Sequence, residues 1–150
     1  MQSRINIFKV APNAIQSLKG IGEYDSNISL EESLLDLMLV RASQINRCAQ
    51  CLDMHIKDAR ASGETEQRLY ALVAWRETPF YTERERAALE WTEKLTLIST
   101  NDVPDELYNS LRQHFSEQEL VNLTLAINTI NNWNRLAISF RTEPGSYIRK

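Results

Sequence analysis

The chain has 150 residues, of which 43% are hydrophobic and 25% charged, with a net charge of -3. That length fits one domain with its own core, of the size that buries roughly 68–70% of the unfolded surface, and the composition is too apolar for a disordered chain. Lys and Arg are scattered among Asp and Glu, which leaves no basic face for nucleic acid. Charges interrupt every run before the roughly 20 apolar residues of a membrane span. Arg4, Asn6 and Lys9 likewise break up the first ten residues, against a signal peptide. The expected location is therefore the cytoplasm, with no membrane partner. Thiols stay reduced there, so two cysteines three apart point to catalysis or metal binding rather than a structural staple.

The predicted elements are all helices. Pro12 to Lys19 reads as a short leading helix closed by Gly20 and Gly22. Ser29 with Glu32 makes a capping box ahead of Leu30, Leu34, Leu37, Met38 and Arg41, which recur at helical spacing. A helix from about Asn46 to Ser62 carries both cysteines and stops at Gly63, which tolerates the left-handed conformation of a C-terminal cap. The next runs from about Thr65 to Arg76 and halts before Pro79. Thr82 with Glu85 and Ser116 with Glu119 repeat the capping box, and Asp102 before Pro104 opens a helix between them. Pro144-Gly145 releases a polar tail. The expectation is one all-α domain over residues 1–150, with about six main helices after the short one and no sheet. The last long helix is apolar over much of its circumference, which favours self-assembly.

The chemistry concentrates between Arg41 and His55. Helical spacing places Cys48, Cys51 and His55 on one face, bringing a dithiol to an imidazole. His55 can take a proton from Cys51 one turn away, and a helix start near Asn46 favours negative charge on Cys48. The thiolate is the nucleophile, so either influence makes the pair competent at neutral pH. Peroxide would oxidise one thiolate to a sulfenic acid, the second cysteine would condense with it, and an external thiol would reopen the disulfide. The helix terminus favours Cys48 as the attacking thiol and the spacing to His55 favours Cys51. We assign Cys51, with Cys48 resolving.

The run Leu-Val-Arg-Ala-Ser-Gln-Ile-Asn-x-Cys-x-x-Cys-x-x-x-His, from Leu39 to His55, resembles the active-site helix of alkylhydroperoxidase D-like proteins within the carboxymuconolactone decarboxylase family. The likeness continues through Ala74-Trp75-Arg76-Glu77 and from Thr82 to Thr96. It implies an all-helical fold, trimers or hexamers, and reduction of alkyl hydroperoxides by the cysteine pair with a proton relay. A thiol or dithiol reductant protein would complete the cycle, with no bound cofactor. Carried across, the cysteines fall on Cys48 and Cys51 and the histidine on His55. The acidic relay residue, normally a Glu twelve positions before the first cysteine, falls on Asp36, one methylene shorter. Gln50 departs from relatives that carry a histidine between the cysteines, and Glu93 and Glu77 are further acidic candidates.

Other readings stand beside this one. Free cysteines are often plain core filler. Cys48, Cys51 and His55 also supply three zinc ligands, with Asp36 or water as a fourth, although one short helix wraps a tetrahedral ion poorly. A lactone decarboxylase and a non-enzymatic thiol redox sensor are the functional alternatives; decarboxylases proper lack the cysteine pair. His114 is expected at the surface or its boundary, and Trp75, Trp91 and Trp133 in core or subunit contacts.

Overall fold

Helix starts in this chain are set largely by side chains that accept orphan backbone amides. The computed structural model describes residues 2–25 and 30–149, and among them the regular elements are helical. Asn6 caps α1 (Ile7–Val10), and α2 follows over Pro12–Asp25. Next come α3 (Glu32–Asn46) and α4 (Ala49–Ala61). Thr65 caps α5 (Glu66–Ala71), which tightens into a 3-10 helix over Leu72–Glu77. Complete capping boxes at Thr82 and Ser116 open α6 (Glu83–Thr96) and α8 (Glu117–Phe140), as the sequence predicts, with α7 (Asp105–Arg112) between them.

Two expectations need correction here, and one falls outside the described residues. The helix beginning at Pro12 passes through Gly20 and Gly22 to Asp25; glycine weakens a helix by up to about 1 kcal/mol but ends it only where the backbone turns left-handed. The capping role given to Ser29 lies outside the described residues, and the N-cap of α3 is Glu31, whose side chain makes no capping bond. The tail after Pro144 is not released: it lies back along α4 through hydrogen bonds described below. Gly63 behaves as read, with φ +99° and a Schellman pair of bonds from Gly63 N to Arg60 O and from Glu64 N to Ala59 O.

The core is organised around α3. Leu34 and Met38 pack with Trp91 of α6 and Leu123 and Ile127 of α8. Leu37 and Val40 pack with Ala59, Leu69, Leu72, Trp75 and Leu89. Ala42 joins Cys48, Cys51 and Ile130 in a third cluster. A helix buried on this many sides has little room for solvent, and Asp36 lies within it. Leu37 is fully buried, so Leu37→Ala would cost about 2–5 kcal/mol. No described helix is long and apolar enough to cross a membrane.

Candidate active site

The cysteines sit where α3 stops and α4 starts. Arg47 takes a left-handed conformation with φ 58°, while Arg47 N bonds to Gln44 O and Cys48 N to Ser43 O, a Schellman ending. Cys48 is then the N-cap of α4, its Sγ accepting from Cys51 N at 3.4 Å. The shared helical face expected for all three residues therefore holds for Cys51 and His55, whereas Cys48 precedes the first turn. Its sulfur accepts the amide hydrogen bond that a Ser or Asp cap would accept, and that favours negative charge there.

A buried amide network fixes this junction. Asn46 Nδ2 donates to Asn131 Oδ1 at 2.9 Å and Asn134 Oδ1 at 2.8 Å. Asn134 Nδ2 donates in turn to Ser43 Oγ at 3.2 Å, and Asn131 Nδ2 to Ile127 O and Thr96 Oγ1. The end of α3 is thereby tied to α8 two residues before Cys48. Sequence reasoning missed Asn131 and Asn134; their signal was two amides three apart beside Ile127 and Ile130 on the buried side of α8.

Cys48 and Cys51 are joined as a disulfide with Cα atoms 5.4 Å apart, and both are buried, at 1% and 3% exposure. Two clefts meet at Gln50, which lies between the cysteines in sequence. One, of about 900 Å³, is lined by Asp36, His55 and Gln50 together with Asp58 and the tail. The other, of about 750 Å³, is lined by Cys48 itself, Gln50, Arg47 and Arg141. Gln50 belongs to both walls and its buried Oε1 has no hydrogen-bond partner.

Asp36 is 6% exposed and its Oδ2 is buried without a partner. Burial, and next the negative charges of Glu32 and Asp58, push its carboxyl up to about 6 despite Arg149. His55 is pushed the other way: burial holds it down to about 4, with Asp58 only partly opposing. In the disulfide form the imidazole is thus neutral at pH 7, the state in which it can accept a proton.

The C-terminal tail closes over this cleft. Gly145 N donates to Asp53 Oδ2 at 3.0 Å, Lys57 Nζ to Tyr147 O at 3.1 Å, and Tyr147 Oη to Asp58 Oδ1 at 2.7 Å. Arg149 reaches Asp58 O, Ser62 Oγ and Glu32. The spare acids do not enter. Arg41, Trp75 and Arg76 all bond Glu93, whose carboxyl stays lowered because those bonds outweigh its burial, and Glu77 is exposed. His114 is half-buried and Trp75 and Trp91 are buried. Among the described residues no three His, Cys, Asp or Glu side chains gather as a metal ligand set.

Residues 15–94, which include Asp36, both cysteines and His55, match the carboxymuconolactone decarboxylase family. The chain belongs to that family. This carboxymuconolactone decarboxylase family protein is 43% identical over 146 residues to the uncharacterised YdfG of Bacillus subtilis strain 168, across 97% of this chain and 99% of that one. It superposes with TM-score 0.93 and 41% identity on ATU0492 of Agrobacterium tumefaciens, a protein of unknown function linked by name to AhpD antioxidant defence, covering 97% and 100% of the two chains. The debrominase Bmp8 shares the fold, with TM-score 0.75 and 16% identity over 91% of this chain and 73% of that one. Both the resemblance read from the Leu39 to His55 run and the all-helical class agree with these matches.

Proposed function

We propose that this protein is an antioxidant thiol peroxidase that reduces alkyl hydroperoxides through Cys51 and Cys48, with His55 and Asp36 as the proton relay. One observation carries the reading: Cys51 of a disulfide-capable pair stands one helical turn from His55, a neutral imidazole that shares a cleft with the unpartnered buried carboxyl of Asp36. In the reduced protein His55 accepts the Cys51 proton. The Cys51 thiolate attacks the distal peroxide oxygen, the O–O bond breaks, and the alkoxide leaves with the relayed proton as alcohol. Cys51 is then a sulfenic acid. Cys48, whose anion the Cys51 amide favours, displaces the hydroxyl, forming the disulfide and releasing water.

A thiol or dithiol must then supply two electrons to restore the pair. Lactone decarboxylation makes no use of a dithiol, which is why it ranks second. The reading includes self-association, since Phe8, Val73, Ile98, Val121 and Ile138 are exposed apolar side chains. The test is steady-state consumption of an alkyl hydroperoxide by reduced protein with excess dithiothreitol. Turnover that Cys51→Ser removes supports the proposal, and equal rates in both proteins reject it.

A further inference from the structure

Two helices of this chain end in the same unusual way. The α3 terminus at Arg47 and the α8 terminus at Arg141 are Schellman turns, the second closed by bonds from Arg141 N to Ile138 O and from Thr142 N to Ala137 O. Their left-handed residues, at φ 58° and 54°, occupy positions where glycine is usual because it has no Cβ to strain. Both are arginine, and both line the cleft onto which Cys48 opens. Neither guanidinium is engaged by another group among the described residues, whereas Arg41, Arg68, Arg76 and Arg84 are all held in ion pairs. The acidic residue on this wall is Glu143, which accepts from Ser3 N.

We propose that this cleft is the reductant subsite and that it takes a small thiol carrying carboxylates, which Arg47 and Arg141 bind while its sulfur meets Cys48. The inference rests on the dithiol reading of the site. Guanidinium forks match carboxylates in geometry and charge, and two free ones beside a disulfide sulfur favour an anionic ligand over a neutral one. Cys48 is the cysteine that lines this cleft, so its sulfur is the one the bound thiol meets. The ligand thiol loses its proton to solvent and the thiolate attacks Cys48 Sγ. The Cys48–Cys51 bond breaks, and Cys51 leaves as a thiolate and takes up a proton. A second ligand thiolate attacks the ligand sulfur of the mixed disulfide and frees Cys48, so two thiols become one disulfide and the protein gains two electrons.

The test measures reduction of the purified disulfide form by mercaptosuccinate, 2-mercaptoethanol and cysteamine, each rate expressed per thiolate. Wild type is expected to prefer the dicarboxylate over the neutral thiol by about tenfold, two modest ion pairs' worth, and the preference should shrink with added salt. Arg47→Gly with Arg141→Gly, which relieves both backbone positions, should reduce that ratio to about one, while Arg47→Lys with Arg141→Lys should keep part of it. A wild-type ratio near one, or a ratio that survives in the glycine variant, overturns the proposal. Because the assay contains no peroxide, failure of the peroxidase reading shows separately as absent hydroperoxide turnover in a protein that still reduces with charge preference.

Discussion

Asp36 on α3 and His55 on α4 face one cleft, and burial drives both toward their uncharged forms. Their contributions to stability run in opposite directions with pH. Asp36 rises from 3.8 to about 6 on folding, so the native state holds a proton that the unfolded chain releases, and stability is lost as pH climbs from about 4 to 6. His55 falls from 6.5 to about 4, so stability is full above 6.5 and is lost as pH drops through that window. Thermal melts of Asp36→Asn should match wild type near pH 4 and exceed it increasingly up to pH 7, by at most about 3 kcal/mol. His55→Gln should gain on wild type as the pH falls from 6.5 to 4. A stability difference that stays constant with pH in both variants would refute this electrostatic account.

The relay makes a second, kinetic prediction. A Glu at position 36 restores the missing methylene, so Asp36→Glu should keep or raise the hydroperoxide turnover of wild type, while Asp36→Asn lowers it. Steady-state kcat/KM for the three proteins decides the point. A Glu variant as poor as the Asn variant would remove Asp36 from the relay.

His55→Ala should slow turnover by about 100-fold at pH 7, the lower end of what a positioned general base contributes. With the imidazole neutral there in the disulfide form, the deficit should be largest in the neutral range and shrink as pH approaches about 8.5, the reference value of a free thiol. A pH–rate profile of both proteins measures this, and a deficit independent of pH would point to packing rather than proton transfer.

Asn134 is fully buried and bonds both Asn46 and Ser43. Asn134→Leu leaves those partners unsatisfied and should cost about 1–3 kcal/mol in urea unfolding. It should also slow disulfide formation, because the α3 to α4 junction that places Cys48 loses its tie to α8. Wild-type stability and disulfide rate would show that the network does not position the cysteines.

The helices that the sequence disclosed best are those opened by local devices. Thr82 with Glu85 and Ser116 with Glu119 announce α6 and α8 within four residues each. Gly63 marked a stop for the same reason, since the left-handed turn is a property of one residue. Gly20 and Gly22 misled because a glycine signals permission, not obligation. The dithiol and the histidine were legible from spacing and Asp36 from the family resemblance, and the structure brings Asp36 and His55 to one cleft, which neither established. The Asn46–Asn134 bond joins residues 88 apart in sequence, and the tail reaches Asp53 from 92 residues away. Pairings at that separation depend on the tertiary fold, which helical periodicity does not encode. Arg47 was passed over because a surface arginine has no local signature; its meaning lies in a backbone angle and a distant twin at Arg141.

The most direct measurement of the central claim is a single turnover without reductant: one equivalent of alkyl hydroperoxide is mixed with fully reduced protein, and alcohol product and the Cys48–Cys51 peptide mass are followed together. The account predicts one alcohol formed per disulfide, with the peptide lighter by two hydrogens and both events gone in Cys51→Ser. Disulfide appearing without alcohol, or alcohol produced while both thiols stay reduced, would contradict it.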